Sequence, residues 1–387
     1  MIRITKLLKG ETVNIRMNKP VVVWNITNRC NLNCCHCYIS ASDREYQNEL
    51  STEESKGLIN DLSNMGIPMI LFSGGEPLFR PDIFELGALA KGMGIETAIS
   101  SNGSLITLDV AKKIKDSGFS YVGISLDGLA ETHNRFRGVE GAFDKALEGL
   151  RLLKKEGIKA GVRFTITRLN LQELPGMIEL VLTEGIKRMC IYNIVYTGRG
   201  KDMTEYDLDN SERLEYIEYL LKEADRLKSR LEILTVCNPA DGVKLLNYVP
   251  QEERDQARKH LLMSSGCSAG KKLICIDPKG DIYPCQFWRD ESLGNIREKP
   301  FSEIWNSDNP LLNKLRKKEE FLKGLCGDCR DKDICGGCRV RAKVVSGDLW
   351  KEDPSCYIDE NLYPTYKKPF DLSPKLFKQT TGGMEGI

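Results

Sequence analysis

Residues 21–38 read VVVWNITNRCNLNCCHCY, an apolar run followed at once by a cysteine-rich loop. The β-branched and aromatic side chains predict a buried strand, so the loop begins at the carboxyl end of that strand. Cys30, Cys34 and Cys37 follow one another in the loop with three and two residues between them. Thiolates are the ligands of iron–sulfur clusters, and three of them on a four-iron cluster leave one iron free to bind another molecule. A structural zinc loop is the alternative, because a further cysteine and a histidine stand between Cys34 and Cys37.

The alternation of strand and helix continues from this loop to about residue 195. Short runs rich in Val, Ile and aromatic residues alternate with amphipathic stretches at a repeat of roughly 30 residues, which is typical of βα units with a parallel sheet. Six units predict an α/β fold, a partial (β/α)6 TIM-like barrel with its functional residues at the carboxyl ends of the strands. The predicted strands are Val21–Ile26, Met69–Ser73, Thr97–Ser101, Tyr121–Ser125, Lys159–Ile166 and Met189–Val195.

The composition limits the partners and the compartment. Among 387 residues, 56 Lys and Arg nearly balance 55 Asp and Glu, so a net charge of +1 provides no broad field that would attract nucleic acid or an anionic membrane. The opening residues contain no apolar core of signal-peptide length, and no apolar run approaches the roughly 18 residues of a membrane span. A cytoplasmic location is therefore predicted, where 14 cysteines are better explained as metal ligands than as disulfides.

Changes in texture divide the chain into five predicted parts. After the barrel, a charged helix and a short strand lead into a stretch with many cysteines and few periodic apolar residues. Bound clusters would replace an ordinary core there. The predicted parts are an amino-terminal extension (1–20), the barrel (21–215), a bridging region (216–262), an auxiliary domain (263–360) and a surface tail (361–387).

The three-cysteine loop, placed after the first strand, resembles the defining motif of the radical S-adenosylmethionine (SAM) superfamily. The resemblance continues through Ser73-Gly-Gly-Glu76-Pro after the second strand, Ile99-Ser-Ser-Asn102-Gly after the third and Val122-Gly-Ile-Ser125-Leu-Asp127-Gly in the fourth. It implies that the three cysteines are catalytic and hold a [4Fe-4S] cluster whose open iron binds SAM.

The resemblance also implies which residues contact SAM. Glu76 and the glycine backbone before it would meet the amino group, while Ser125 and Arg137 would hold the ribose and the carboxylate. The family usually has an aromatic residue before the third cysteine, near the adenine; here His36 takes that place and Tyr38 follows the cysteine. The implied cofactor-binding residues are His36, Tyr38, Gly74, Gly75, Glu76, Ser100, Asn102, Ser125, Asp127 and Arg137.

A second set of cysteines lies towards the carboxyl terminus. Their order and spacing resemble the SPASM-type extension of radical SAM enzymes, which carries up to two auxiliary [4Fe-4S] clusters; a zinc ribbon is the alternative. The resemblance implies an outer cluster held by Cys326, Cys329, Cys335 and Cys356 and an inner cluster held by Cys267, Cys285 and Cys338.

The sequence leaves the fourth ligand of the inner cluster open. Cys237 in the bridging region is preferred, because it is close enough in the chain to fold over the cluster. Cys275 lies in the apolar run LICID, where a small buried side chain is the ordinary expectation. An iron without a protein ligand, free to bind substrate, is the third possibility. Cys190 and Cys35 are predicted not to be ligands.

The implied reaction is radical chemistry. A reduced cluster passes one electron to the sulfonium of SAM, and the resulting 5′-deoxyadenosyl radical abstracts hydrogen from an unactivated carbon. The enzyme would need a low-potential electron donor such as ferredoxin or flavodoxin. A non-enzymatic iron–sulfur electron carrier is an alternative, but it conflicts with the loops that resemble SAM-binding loops.

Two stretches resemble the SPASM enzymes that remove side chains from iron tetrapyrroles in alternative haem and haem d1 synthesis. These are residues 192–200 with 235–242, and residues 284–288 with 293–305. An iron tetrapyrrole is therefore the predicted substrate. Oxidative decarboxylation of propionates is favoured, because cysteines occupy two positions where the deacetylase-like members often have Asp.

Three further residues have two interpretations each. Arg199 pairs with a propionate or anchors its loop, and His133 and His260 either contact haem iron or, as we expect, are ordinary surface residues. A peptide is the main alternative substrate. Peptide-modifying members commonly carry an amino-terminal leader-binding domain, which we do not expect here because only about 20 residues precede the first strand.

Overall fold

The computed structural model describes residues 1–11, 19–264 and 266–358. The strands in these ranges all belong to one sheet. They are β1 (Val21–Asn25), β2 (Met69–Ser73), β3 (Glu96–Ser101), β4 (Tyr121–Ser125), β5 (Ala160–Ile166), β6 (Arg188–Asn193), β7 (Glu232–Val236), β8 (Leu273–Ile276), β9 (Asp281–Tyr283) and β10 (Gly294–Asn295).

Helices connect the strands and cover the sheet. Those of the amino-terminal half are α1 (Ile4–Leu8), α2 (Thr52–Asn64), α3 (Ile83–Gly92), α4 (Leu108–Asp116), α5 (Ala130–Arg137), α6 (Ala142–Lys155) and α7 (Leu174–Thr183). Those that follow are α8 (Asn210–Arg226), α9 (Ala240–Tyr248), α10 (Arg254–Ser264), α11 (Phe301–Asn306), α12 (Pro310–Arg316), α13 (Gly324–Asp328) and α14 (Arg339–Ser346).

The six strands of the βα pattern are present, and β1 to β6 lie side by side in chain order. Every neighbouring pair among them is parallel. The predicted α/β partial barrel is therefore confirmed, and the sheet does not close on itself. Parallel pairing places the carboxyl ends of these strands on one side of the sheet, where the loops that follow them meet.

The sheet extends beyond the six predicted strands on both sides. β7, assigned by sequence to the bridging region, pairs in parallel with β6, and β8, assigned to the auxiliary domain, pairs in parallel with β1. β9 and β10 then continue the sheet in antiparallel pairing. The apolar run of β8 suits a strand covered on both faces, but its partner lies far away in the chain and the local pattern does not reveal it. The auxiliary domain thus begins as a continuation of the barrel sheet.

Aromatic packing fixes β1 against its neighbours. Trp24 and Phe72 are fully buried, and their ring centroids lie 5.7 Å apart. Phe72 also meets Phe119 edge-on at 5.6 Å. Gly87 on α3 leaves the space that the Phe119 ring fills, because a Cβ there would overlap the ring. Such ring pairs contribute about 0.5–1.5 kcal/mol each beyond their buried area, so they hold the strand that carries the cysteine loop.

The far end of the cysteine loop is fixed by the start of α2. Ser51 accepts a hydrogen bond from the Glu54 backbone at 3.2 Å, and the Glu54 carboxylate accepts one from the Ser51 backbone at 2.8 Å. This reciprocal capping satisfies two amide groups at the helix start, and a cap of this kind is worth about 1 kcal/mol. The loop after β1 is therefore anchored by a strand at one end and a capped helix at the other.

The predicted domain boundaries stay predictions. Ile2, in the amino-terminal extension, exchanges backbone hydrogen bonds of 2.7 and 2.9 Å with Thr235, so this segment attaches to β7. The predicted tail, 361–387, lies outside the described residues. Within the described ranges, no helix is both long enough and apolar enough to cross a membrane.

Candidate active site

A cavity that is partly open to solvent lies at the carboxyl ends of the barrel strands. Eleven of the predicted active-site residues line it: Cys30, Cys34, His36, Cys37, Tyr38, Gly74, Gly75, Ser100, Asn102, Ser125 and Arg137. Glu76 and Asp127 are the predicted residues that do not line it. The topology therefore brings together loops that follow four different strands.

The sulfur atoms of the three-cysteine loop each accept a hydrogen bond. The backbone amide of Leu32 donates to Cys30 Sγ at 3.5 Å, that of Ala41 donates to Cys37 Sγ at 3.3 Å, and the Arg137 guanidinium donates to Cys34 Sγ at 3.4 Å. Donors aimed at sulfur stabilise a thiolate, the form that binds iron.

Burial has the opposite effect on two of these thiols: it raises the pKa of Cys30 to about 12 and also raises the pKa of Cys34. A bound cation deprotonates its thiol ligands and removes that obstacle. Among the described residues, no three His, Cys, Asp or Glu side chains converge as a single metal ion requires. A four-iron cluster binds each thiolate through a different iron, so the donor set fits such a cluster.

The GGE loop after β2 packs directly on the cysteine loop. The backbone amide of Gly75 donates to Thr27 O, and that of Glu76 donates to Arg29 O, both at 2.8 Å. A Cβ on Gly74 or Gly75 would overlap those same backbone segments. The glycines are therefore needed first for this loop-to-loop contact, which places their backbone at the cavity wall.

Glu76 faces away from the cavity. Its carboxylate accepts hydrogen bonds from Ser101 Oγ at 2.8 Å and from the Asn102 backbone at 2.7 Å, so it fixes the end of β3. Burial raises the pKa of Glu76 to about 7. Its direct contact with the amino group of SAM stays a prediction.

Asp127 lies next to the cavity without lining it and contacts the side chains of Arg137 and His36. It forms an ion pair with Arg137, and its Oδ2 is 3.4 Å from His36 Nε2. Although burial opposes ionisation, Arg137 and the adjacent histidines hold the pKa of Asp127 below its usual value. Burial lowers the pKa of His36 to about 4, so this ring is neutral near pH 7. Asp127 therefore orients the residues at the cavity without lining it.

Arg163 on β5 is a cavity residue that the sequence analysis missed. Its guanidinium donates to Ser100 Oγ and lies over the Tyr192 ring, 4.7 Å from the centroid. Gly123 on β4 leaves room for it, since a Cβ there would lie 2.8 Å from Arg163 Cδ. In the described part of the chain no carboxylate oxygen lies within 4.0 Å of Arg163. A charged residue inside the apolar run GVRFTI was the signal that could have identified it.

The residues offered as substrate contacts lie elsewhere. Arg199 donates to Cys34 O at 2.7 Å and to Ala41 O at 2.9 Å, so it anchors the cysteine loop. His133 and His260 are buried, which corrects the expectation of surface residues, and neither lines the cavity. His133 Nδ1 accepts a hydrogen bond of 3.0 Å from the Asp127 backbone.

The auxiliary cysteines fall into two groups. Burial raises the pKa of Cys285, with Cys267 and Cys338 raising it further, and Cys338 acts on Cys237 in the same way. Cys237, Cys285 and Cys338 also belong to one packed cluster. In the second group, burial raises the pKa of Cys335, with Cys356 and Cys326 raising it further. Burial likewise raises the pKa of Cys356, with Cys326 and Cys329 adding to the effect. These are the predicted inner and outer sets, and their ligation stays a prediction.

Cys237 and Cys275 differ in their surroundings. Cys237 lies beside Cys338 and has a left-handed backbone with a φ of 70°, a conformation that costs a non-glycine residue of the order of 1 kcal/mol or more. Cys275 is fully buried in β8, where Asn25 Nδ2 donates to its sulfur at 3.6 Å. Cys275 still lies within electrostatic reach of Cys285. The role of Cys237 as the fourth ligand stays a prediction.

Comparison with known proteins agrees with this geometry. Residues 24–181 match the Radical SAM superfamily, and residues 267–330 match SPASM, an iron-sulfur cluster-binding domain. The chain is 46% identical over 361 residues to the Fe-coproporphyrin III synthase of Methanosarcina barkeri, covering 90% of each chain. It is 39% identical over 349 residues to the pre-heme d1 synthase of Dinoroseobacter shibae, covering 88% of this chain and 86% of the relative. It is 33% identical over 344 residues to the AdoMet-dependent heme synthase of Methanosarcina barkeri, covering 88% of this chain and 97% of that one.

A solved structure shows the same fold. The chain superimposes on Streptococcus suis SuiB bound to S-adenosylmethionine with a TM-score of 0.68 and 21% identity, over 87% of this chain and 77% of that one. The chain belongs to the radical SAM superfamily and is an enzyme with a SPASM domain, whose cofactors are [4Fe-4S] clusters and SAM.

Proposed function

We propose that this enzyme modifies the side chains of an iron tetrapyrrole. The observation that carries the proposal is the 46% identity, over 90% of both chains, to a relative named Fe-coproporphyrin III synthase. The relatives named pre-heme d1 synthase and AdoMet-dependent heme synthase support the same substrate class at 39% and 33% identity.

The identities also favour one product over another. The sequence expectation of propionate decarboxylation corresponds to the haem synthase, which is 33% identical to this chain. The Fe-coproporphyrin III synthase is 46% identical. We therefore propose Fe-coproporphyrin III as the product and haem as the second candidate.

When bound, the cluster and SAM supply a 5′-deoxyadenosyl radical that abstracts hydrogen from the substrate. The residues of the chain hold and orient the reactants. Cys30, Cys34 and Cys37 bind the cluster, and Arg199 keeps their loop in place through two backbone carbonyls.

Arg163 is proposed to pair with the carboxylate of SAM, a role that the sequence analysis gave to Arg137. The Arg137 guanidinium already has a carboxylate partner in Asp127 and donates to Cys34 Sγ. Arg163 lines the same cavity without such a partner among the described residues. A guanidinium–carboxylate pair is a strong charge-assisted interaction, so the guanidinium that has no carboxylate partner among the described residues is the better candidate.

Aromatic rings form the proposed substrate wall. Tyr38, Tyr192 and Phe287 all line the cavity. Flat apolar rings suit the face of a macrocycle and keep water away from a reactive radical.

The auxiliary clusters, with Cys237 as the proposed fourth ligand of the inner one, would pass electrons. The proposed donor is a ferredoxin or flavodoxin, and the proposed compartment is the cytoplasm.

The experiment is an anaerobic incubation of reconstituted enzyme with dithionite, SAM and one of two iron tetrapyrroles. One tetrapyrrole retains acetate side chains, and the other is Fe-coproporphyrin III. Mass spectrometry should show that the first loses its acetate groups while 5′-deoxyadenosine accumulates. Cys34→Ala is the control and should form neither product.

Two other outcomes are decisive. Conversion of Fe-coproporphyrin III to haem would keep the substrate class and reverse the choice of product. Formation of 5′-deoxyadenosine with both tetrapyrroles unchanged would overturn the proposal, and modification of a small precursor peptide under the same conditions would establish the peptide alternative.

A further inference from the structure

Arg339, the first residue of α14, is fully buried next to the predicted outer cluster site. Its Nη1 donates to Leu349 O at 3.0 Å and to Lys351 O at 2.7 Å. Its Nη2 donates to the sulfur of Cys326 at 3.7 Å. In the described residues no carboxylate oxygen lies within 4.0 Å of this guanidinium. A buried charge is costly unless it is paired, so the absence of an acidic partner requires an explanation.

The nearest carboxylate is already used by another arginine. Asp353 accepts hydrogen bonds from Arg341 Nε at 2.9 Å and from Arg341 Nη2 at 2.8 Å. Asp353 also accepts one from the Cys338 backbone at 2.6 Å. The charge of Arg341 is therefore neutralised within the protein, whereas that of Arg339 faces only carbonyl oxygens and one sulfur.

The turn before α14 is built so that the guanidinium reaches this sulfur. Gly337 has a φ of 54°, in the left-handed region that favours glycine. A Cβ at Gly337 would lie 2.5 Å from Arg339 Nη2 and 3.2 Å from Cys326 Sγ. Any side chain there would separate the two groups, so the contact depends on this glycine.

The cysteine loop of the barrel offers an informative contrast. There Arg137 also donates to a cysteine sulfur, Cys34, at 3.4 Å, but it forms an ion pair with Asp127. The positive charge beside Cys34 is thus balanced by a carboxylate. Arg339, beside Cys326, forms no ion pair with a described acidic group. Asp353 lies close enough to oppose part of its field at Cys326, but the charge of Asp353 is shared with Arg341, so a net positive field from Arg339 reaches whatever Cys326 binds.

We infer that Arg339 is the counter-charge of the outer auxiliary cluster and raises its reduction potential. The inference goes beyond the proposed substrate and rests on the predicted ligation of that cluster by Cys326. One-electron reduction adds one negative charge to the cluster, and a cation that forms no ion pair, at hydrogen-bond distance from a ligand sulfur, stabilises the reduced state. Hydrogen bonds to sulfur and local charge are established determinants of cluster potentials. Arg339 therefore acts on electron transfer through the outer cluster and does not contact the substrate.

The test is a redox titration of the full-length holoenzyme, followed by electron paramagnetic resonance with dithionite as reductant. The signal of the outer cluster is identified as the one that Cys326→Ala removes. In Arg339→Gln we expect the equilibrium constant for reduction of the outer cluster to fall at least tenfold. This corresponds to a midpoint potential lower by about 59 mV. The other clusters should keep their midpoints.

Arg330→Gln is the matched control. It removes the same charge one residue after the predicted ligand Cys329, but the Arg330 side chain is 81% exposed and its field is screened by solvent. We expect the midpoint potential of the outer cluster in Arg330→Gln to match that of the wild type. An unshifted midpoint in Arg339→Gln, or an equal shift in Arg330→Gln, would overturn the inference.

Arg339→Lys separates charge from structure. If the Gln variant loses the iron of the outer cluster while the Lys variant retains iron and midpoint, the cluster requires the positive charge and the inference stands. If both variants lose the iron, Arg339 only holds its carbonyl partners in place and the inference fails. A failure of tetrapyrrole turnover leaves these readouts unaffected, so the two proposals can fail separately.

Discussion

The ring of Tyr38 packs edge-on against the ring of Phe287, with the centroids 5.3 Å apart. Tyr38 directly follows Cys37 in the barrel loop, and Phe287 stands two residues after Cys285 in the auxiliary domain. Both residues line the cavity. The auxiliary domain therefore contributes to the wall of the active site, and the two cysteine loops meet through one aromatic contact.

The first prediction concerns this contact. Phe287→Ala removes the ring from the cavity wall and from its partner Tyr38, an aromatic interaction worth about 0.5–1.5 kcal/mol in addition to the apolar area. We expect tetrapyrrole binding to weaken about tenfold, while SAM binding changes little. Equilibrium titration of the reconstituted enzyme with each ligand measures the two effects.

Phe321→Ala is the control for that variant. Phe321 belongs to the same domain and packs against Trp350 at 5.4 Å, but it does not line the cavity. It should leave tetrapyrrole affinity unchanged. Equal weakening of tetrapyrrole binding in both variants would mean that a general disturbance of the auxiliary domain causes the loss, rather than removal of the ring from the cavity wall.

The second prediction separates adjacent cysteines. Cys34→Ala should lose about one four-iron cluster per chain and all formation of 5′-deoxyadenosine, because its thiolate is a required ligand. Cys35→Ala should retain both, since Cys35 packs in an apolar cluster with Ile194 and Tyr196 and does not line the cavity. Iron analysis and product detection decide this, and iron loss in the Cys35 variant would refute the assigned ligand set.

The third prediction concerns Arg163. Arg163→Gln removes the proposed partner of the SAM carboxylate, and hydrogen bonds between charged groups are worth about 1.5–3 kcal/mol. SAM affinity should therefore fall roughly 10- to 100-fold. Arg188→Gln is the control, because Arg188 also lies over a tyrosine ring, at 4.9 Å, but does not line the cavity. Undiminished SAM affinity in Arg163→Gln would return the role to Arg137.

Local sequence patterns were sufficient for the barrel but not for its neighbours. The six predicted strands are apolar runs bounded by turn residues, and loops that follow parallel strands must meet at one edge of the sheet. β8 joins that sheet by pairing with β1, which lies far away in the chain, and no local pattern specifies that partner. β7 continues the strand order after β6. The prediction of the cavity residues was therefore more complete than the prediction of the sheet.

Side-chain direction was the second limit. Glu76 lies in a motif beside the cavity, yet its carboxylate turns back to Ser101 and the Asn102 amide. Arg163 looks like an interruption of an apolar strand, yet it points into the cavity. Both outcomes depend on space left by other strands, such as that beside Gly123, which is visible only in three dimensions.

The fourth prediction decides the inner cluster. Cys237→Ala should make the inner cluster labile and lower the iron content after mild chelation, because one of its four thiolates is lost. Cys275→Ala should retain the wild-type iron content, as expected of a core residue in β8. Iron retention after chelation in both variants would favour an inner cluster with an open iron, and loss only in the Cys275 variant would exchange the two assignments.

The fifth prediction is a pH dependence of stability. Burial lowers the pKa of His133 to about 3 from an ordinary value of 6.5. As the pH falls below 6.5, the unfolded chain binds a proton at this ring that the folded protein does not, so the free energy of unfolding decreases. Linkage predicts that this group lowers the free energy of unfolding by about 1.4 kcal/mol as the pH falls from 7.5 to 5.5. The loss is reversed when the pH is raised again. In His133→Gln the side-chain oxygen can still accept a hydrogen bond from the Asp127 amide, but the side chain no longer binds a proton in this pH range. Urea unfolding at the two pH values should therefore show a loss smaller by about 1.4 kcal/mol in the variant, and equal losses in both proteins would contradict the assignment of a neutral buried ring.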